Sequence, residues 1–231
     1  MEKIKIKKES PICVGIIMDG NRRWAKQHKL PIFTGHSAGY KKLKEVVLWA
    51  KEEGVKNLIV YTFSTENWNR NKKEISTLMK LFEKALRQGS DFKKNDVKIT
   101  FIGQIERFSK NLKKSIENLE IVTKKCKSVN LTLAFSYGGR AEIVSTVNDL
   151  LRKKYKNISE KEFSKNLWTA NILDPDIIIR TGGEKRLSNF LPWQSVYSEL
   201  FFVDTYWPAF TKKEFKSILT EYMKRERREG K

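Results

Sequence analysis

The chain has 231 residues, of which 39% are hydrophobic and 11% aromatic. That is enough to close one core without disulfide or metal staples and too much for a disordered polymer, despite 32% charged residues. Lysine and arginine outnumber aspartate and glutamate 47 to 27, a net charge of +20, which favours anionic partners: nucleic acid, an acidic membrane surface or phosphorylated small molecules. No run approaches the roughly 18 apolar residues of a bilayer span. The lysine-rich stretch from Met1 to Glu9 lacks the apolar core of a signal peptide. A cytoplasmic protein is expected, one domain over 1–231 with a flexible 1–11. Cys13 and Cys126 sit in apolar segments without metal-ligand spacing, and reduced, buried thiols are expected.

In chain order, a buried strand is expected over 13–18. It runs into Met18-Asp19-Gly20-Asn21-Arg22-Arg23-Trp24-Ala25: an acid at a strand's carboxyl end, a glycine permitting close backbone approach, an asparagine suited to turns, and two arginines able to grip phosphate oxygens. Read alone, the segment serves equally as a diphosphate site or as a strand-to-helix turn with solvated charges. A helix over 37–53 follows, with Tyr40, Leu43, Val46, Val47 and Ala50 on one face and Gly54 as its stop. His36 precedes it, where a helix start favours an anion, and His28 reads as surface. The second strand, 57–63, enters Ser64-Thr65-Glu66-Asn67-Trp68-Asn69-Arg70, hydrogen-bonding groups around an apolar platform that also read as a capped turn.

Next come a helix over 74–91, a strand over 97–102, a helix over 109–127 whose lysines form a solvated face, a strand over 130–136, the turn Tyr137-Gly138-Gly139-Arg140 and a helix over 141–155. Ser159 with Glu162 and Thr211 with Glu214 are capping boxes that begin two further helices. The fifth strand, 176–180, leads into Arg180-Thr181-Gly182-Gly183-Glu184-Lys185-Arg186-Leu187-Ser188-Asn189. There paired glycines let backbone amides turn toward an anion, while Arg180, Arg186 and Ser188 supply convergent donors. The lysine-serine or lysine-threonine ending of a nucleotide-binding P-loop is missing. The last strand, 200–203, follows Glu199, an acid that alone reads as helix-end or partner-facing as readily as metal-binding.

Alternating strands and helices predict an α/β domain with a mainly parallel sheet of about six strands, covered by helices on both faces. Ligands of such sheets bind at the carboxyl ends of strands, and Asp19, residues 64–70, 137–140 and 180–189 all fall there. A nucleic-acid module would instead set its arginines along one helix face or among stacking aromatics, so no nucleic-acid partner is expected.

Together these motifs resemble the cis-prenyltransferases, closest to bacterial undecaprenyl diphosphate synthase and its isoprenyl transferase relatives. The similarity runs from Val14 to Gly230 through residues 18–26, Gly35-His36-Ser37-Ala38-Gly39, 63–70, 137–140, 180–194 and 197–200. The resemblance implies magnesium-dependent, sequential cis condensation of isopentenyl diphosphate onto an allylic diphosphate such as farnesyl diphosphate, giving a polyprenyl diphosphate used as a lipid carrier precursor in cell-wall glycan synthesis. By the family pattern Asp19 binds magnesium and is catalytic, and Asn67 has the position assigned to proton removal. Gly20, Asn21, Arg22, Arg23, Trp24 and His36 hold the allylic diphosphate, and Ser64, Thr65, Glu66, Trp68 and Arg70 shape the substrate site. Arg180, Arg186, Leu187 and Ser188 hold the isopentenyl diphosphate. Glu199 completes the metal site from the neighbouring subunit's side of a homodimer. The paired aspartate-rich motifs of trans-prenyltransferases are absent from the sequence.

Three departures from the pattern stand out. Ile32 occupies a position where relatives usually carry an arginine, a contact that Lys29 is expected to replace; Lys185 stands where some relatives have a histidine near the metal; and Arg228-Glu229-Gly230 has Glu229 in place of the usual aromatic. Ile75, Leu78, Leu81, Phe82 and Ala85, with Leu112, Ile116 and Leu119, are candidate walls of a hydrophobic product tunnel, most of them expected as plain core. A basic surface suits peripheral contact with anionic lipid at the inner membrane, where a long product must be delivered.

Overall fold

The structure is a computed structural model and describes residues 11–87 and 89–225. Five buried residues, Cys13–Ile17, form β1 at the centre of the sheet. Val14 and Ile16 point into one core while Cys13 and Ile17 point into the other, the period of two that a strand imposes. The remaining strands are β2 (Asn57–Ser64), β3 (Val97–Ile102), β4 (Val129–Tyr137), β5 (Ile177–Arg180) and β6 (Glu199–Phe202). They pair in parallel in the order β3-β4-β2-β1-β5-β6. The chain leaves β1 toward β2 on one side and returns to β5 on the other. The crevice at β1's carboxyl end is therefore the topological switch point where α/β sheets bind ligands.

The helices are α1 (Asn21–Gln27), α2 (Ile32–Glu52), α3 (Lys72–Arg87), α4 (Ser90–Lys94), α5 (Lys110–Thr123), α6 (Gly139–Arg152), α7 (Glu160–Ser164) and α8 (Lys212–Lys224). One face of the sheet packs on α2, α3, α5 and α8 through residues such as Leu43, Val46, Phe82, Ile116 and Phe215. The smaller core on the other face gathers Ile59, Tyr137, Ile178, Phe190 and Leu191. Both expected capping boxes form, Ser159 with Glu162 and Thr211 with Glu214.

The structure corrects the sequence reading at several points. Pro31 caps α2 and the helix starts at Ile32 instead of residue 37, so His36 lies in its second turn and not at its N-terminus. The stretch 74–91 is divided, with α3 ending at Arg87 and α4 beginning at Ser90. Helix α1 begins directly after Gly20, as the strand-to-helix reading of residues 18–25 implies, although its span, Asn21–Gln27, is not among the helices expected. Cys13 is buried, but Cys126 is only partly so. Residues 1–10 and the segment Arg228-Glu229-Gly230 lie outside the described residues.

Candidate active site

The site grows from the end of β1. Gly20 has φ 105, and a side chain there would strike Tyr206; this left-handed residue turns the chain directly from strand into α1. Helix α1 can lie against α2 because Gly35 and Gly39 carry no side chain. A Cβ at the first would meet the Asn21 carbonyl, and at the second the Asn21 amide and Trp207. The Gly35-to-Gly39 motif is thus a contact surface that sets His36 beside α1.

Asp19 is held by two cations. Arg23 approaches Oδ1 at 3.1 Å, and Arg180 donates from Nη2 to Oδ2 at 2.9 Å. Thr181 Oγ1 and the Trp207 amide both donate to the Asp19 carbonyl, at 2.8 and 3.0 Å. Burial pushes the Asp19 carboxyl up, but the Arg180 hydrogen bond and the charges of Arg23 and Arg180 outweigh it and hold it below its ordinary value. Arg23 also faces Glu184 at 3.6 Å and lies over the Tyr206 ring at 5.2 Å. Arg180 is buried, and its Nη1 donates to Ser188 Oγ at 2.8 Å and to the Arg186 carbonyl.

His36 is pushed down to about 4 by burial and then by the nearby charges of Arg70 and Arg22, against an opposing contribution from Glu74. Its ring is neutral at pH 7. Glu74 anchors both arginines, Arg70 at 3.2 Å and Arg22 at 3.8 Å. His36 Nε2 and Arg180 Nε are buried without a partner, whereas buried polar atoms are ordinarily satisfied. Both residues line the main cavity.

That cavity has a volume of about 630 Å³. Its mouth carries Asp19, His36, Ser64, Glu66, Asn67, Arg70, Arg180, Ser188 and Asn189, while its depth is lined by Leu43, Leu78, Leu81, Phe82, Ala85, Leu86, Phe92, Leu119, Leu133 and Phe135. Of the candidate walls named from sequence, Leu78, Leu81, Phe82, Ala85 and Leu119 line it; Ile75, Leu112 and Ile116 do not. A second cavity shares Asp19, Asn21, His36 and Arg70 and adds Gly20, Arg22, Arg23, Lys26, Leu30 and Ile32. The lysine near Ile32 on this wall is Lys26 and not Lys29.

Other expected residues are placed differently. Residues 64–70 form a 3-10 helix, Thr65–Asn69, with a capping box in which Asn67 Oδ1 accepts the Ser64 amide at 3.1 Å. Both the capped-turn reading and the cavity-lining one therefore hold for Asn67. Thr65 Oγ1 donates to Glu66 at 3.1 Å. Trp68 turns inward, donating to Ser136 Oγ at 2.9 Å and meeting Phe63 edge-on at 5.0 Å between ring centres. Trp24 lines neither cavity and stacks on His28, ring centres 4.4 Å apart. The amides of Gly182 and Gly183 are spent on the Thr205 and Val203 carbonyls, each at 2.9 Å, so they do not face an anion. Gly182 matters instead for close approach, since a side chain there would meet Arg23 and the Asp19 backbone. Arg186 is exposed and pairs with Glu184, and Leu187 packs on the smaller core.

Glu199 opens β6, in register with Ile177 and, through β5, with Val14. Five residues of strand, about 16 Å, and two strand spacings, about 10 Å, separate it from Asp19. Its carboxylate pairs with Arg225 at 2.6 Å. Within one chain the two acids cannot share an ion; only a second copy could bring a Glu199 to Asp19. Among the described residues no group of three or more His, Cys, Asp or Glu side chains gathers as a metal site. Sequence reasoning missed Tyr61, whose hydroxyl reaches the Tyr137 and Ser188 carbonyls at 3.2 and 3.3 Å, and the Tyr206-Trp207 pair under α1. No local signal marks them, because their contacts cross more than 70 residues of sequence.

Comparison with known proteins decides the family. A family model described as "Putative undecaprenyl diphosphate synthase" matches residues 17–230. The chain belongs to the undecaprenyl diphosphate synthase family of isoprenyl transferases. It is 46% identical to an isoprenyl transferase of Fusobacterium nucleatum over 97% of this chain and 98% of that one. It is also 46% identical to a tritrans,polycis-undecaprenyl-diphosphate synthase (geranylgeranyl-diphosphate specific) of Pyrococcus furiosus, over 95% and 87% of the two chains. Among solved structures, lavandulyl diphosphate synthase from Lavandula x intermedia in complex with dimethylallyl diphosphate superposes with TM-score 0.90 at 33% identity, covering 96% and 99%. A probable undecaprenyl diphosphate synthase from Campylobacter jejuni gives 0.83 at 36%, covering 96% and 100%. This isoprenyl transferase shares their fold, and among its described residues no helix is long and apolar enough to cross a membrane.

Proposed function

We propose that this isoprenyl transferase extends an allylic diphosphate, farnesyl diphosphate first, by repeated cis addition of isopentenyl diphosphate, and that the product is a polyprenyl diphosphate such as undecaprenyl diphosphate. One observation carries the reading: a single cavity joins an acid and buried guanidinium at its mouth to an apolar interior. Such a shape suits a molecule with a multiply charged head and a growing hydrocarbon tail.

Asp19 fits magnesium. It is ionised at neutral pH, partly open, and close to guanidiniums that can move onto diphosphate; magnesium needs only one or two carboxylates and takes its other ligands from phosphate and water. Magnesium, when bound, offsets charge on the departing diphosphate. Arg22, Arg23 and Arg70, with the α1 amides from Gly20 onward, hold the allylic diphosphate on the second cavity's wall. Neutral His36 offers its ring nitrogen to the same group. Arg180 and the Ser188 hydroxyl orient the isopentenyl diphosphate, with Arg186 reaching in from the rim. Asn67 sits at the mouth with its Oδ1 on the Ser64 amide, where the carboxamide can orient isopentenyl diphosphate while the departing diphosphate takes the proton lost as the new double bond forms. The apolar wall from Leu78 to Leu119 excludes water and receives the tail.

A homodimer is supported by exposed apolar residues on α6 (Val144, Val147, Leu151) and before β6 (Val196, Tyr197). Gln194 ties the two segments together through its hydrogen bond to Glu142. Peripheral membrane contact is supported by exposed Leu30, Ile32 and Phe33 beside Lys26 and Lys29; liposome flotation should favour anionic vesicles. Geranylgeranyl diphosphate is the second reading for the primer, since the Pyrococcus relative is named for it. Equimolar farnesyl and geranylgeranyl diphosphates competing for labelled isopentenyl diphosphate, with and without magnesium, test the whole proposal. Farnesyl-primed, magnesium-dependent products are expected, and no elongation of either primer refutes it.

A further inference from the structure

Asn189 sits where two loops at the cavity mouth meet, and all its bonds run outward from that junction. Its Nδ2 donates to Glu66 Oε1 at 2.8 Å, its Oδ1 accepts the Arg140 amide at 2.9 Å, and its carbonyl accepts the Gly139 amide at 2.8 Å. Its backbone is left-handed, φ 66, as is that of Ser188, φ 49. Such conformations cost about 1–3 kcal/mol for residues other than glycine and persist only where the surroundings over-determine them. Ser188 is fixed in turn by Arg180 on its hydroxyl at 2.8 Å and Tyr61 on its carbonyl at 3.3 Å. An unbroken path therefore runs from Glu66 in the 64–70 loop, through Asn189 and Ser188, to Arg180 and Asp19.

We propose that Asn189 is a positioning residue that couples the two diphosphate subsites. Resting on the proposed function, the inference is that an allylic substrate engaging the 64–70 segment bears, through Glu66, on the left-handed Ser188–Asn189 pair. That sets the Ser188 hydroxyl and Arg180 for the second substrate. Such coupling is reciprocal, each ligand tightening the other by the same factor. Glu66 suits the link because hydrogen bonds, first that from Asn189, hold its carboxyl below its ordinary value against the effect of burial.

The test is calorimetric binding of isopentenyl diphosphate to the full chain with magnesium, with and without farnesyl thiodiphosphate as an unreactive allylic ligand. Wild type is expected to bind about 5- to 50-fold tighter when the analogue is present. Asn189→Asp keeps the acceptor for Arg140 but sets a carboxylate against Glu66, and the ratio should fall to within about twofold of one. Glu66→Ala, which cuts the same bond while leaving Ser188 and Asn189 unchanged, should do likewise. Asn189→Asp combined with Glu66→Gln exchanges donor and acceptor and should recover most of the ratio. A merely structural residue would lower Tm and leave the ratio intact. A wild-type ratio in both single variants, or a ratio of one in wild type, overturns the coupling and leaves the proposed function standing. Wild type that binds neither diphosphate overturns both.

Discussion

Replacing Arg180 with methionine removes the buried cation that organises the cavity mouth. Its side chain is 5% exposed and bonds Asp19 at 2.9 Å and Ser188 at 2.8 Å. Each charge-assisted hydrogen bond to a substrate diphosphate is worth about 1.5–3 kcal/mol, so two of them amount to about 3–6 kcal/mol, or roughly 10²- to 10⁴-fold in kcat/KM for isopentenyl diphosphate. The substitution also frees Asp19. Burial alone would raise that carboxyl, and Arg180 and Arg23 together reverse the shift; with only half-exposed Arg23 left, the pKa must rise. A depressed acid is ionised above its folded pKa and loses its charge as pH falls through it. The wild-type acid limb from Asp19 therefore lies below its ordinary value of 3.8, and in the variant it moves upward. Steady-state assays with labelled isopentenyl diphosphate at saturating allylic substrate, run down the acid range, read both effects. A kcat/KM within about threefold of wild type, or an acid limb that does not move, refutes the role given to Arg180.

Gly35→Ala places a methyl group against the Asn21 carbonyl; a loss of about 1–3 kcal/mol and a raised KM for the allylic substrate are expected, and unchanged melting with unchanged KM contradicts the packing argument. Ala85→Phe fills the cavity wall and should shorten the products seen on reversed-phase chromatography, whereas an unaltered chain-length distribution removes this cavity as the tail's path. In a His28→Gln background, the NMR titration of His36 should centre near 4 and rise when diphosphate binds. Because the unfolded ring takes its proton near 6.5, the stability from neutral His36 is fully present above that value and fades as pH falls toward 4. A midpoint in the ordinary histidine range means that the ring is not desolvated as described.

Much of the scaffold was legible because its signals are local. Apolar runs bounded by polar loops gave six strands with ends shifted by a residue or so, and the capping boxes at Ser159 and Thr211 marked two helix starts. The N-terminus of α2 was hidden because Gly35 and Gly39 weaken helix propensity, and only contact with α1 explains why they are there. The gathering of Asp19, the 64–70 loop and Arg180 on one edge followed from parallel topology alone. What residue type could not reveal is direction. Trp68 faces the core, Trp24 faces His28, and the Gly182 and Gly183 amides face the β6 loop. Strand register sets Glu199 at the opposite end of the sheet from Asp19 within one chain, so the expected shared metal site would need the acid of a second copy.

The most direct measurement is the geometry of the bonds the enzyme makes. Purified protein given farnesyl diphosphate, isopentenyl diphosphate and magnesium should yield polyprenyl diphosphates whose newly formed double bonds are Z by NMR, appended to the primer's original E units. New bonds of E geometry, or recovery of both diphosphates unchanged, would contradict the account.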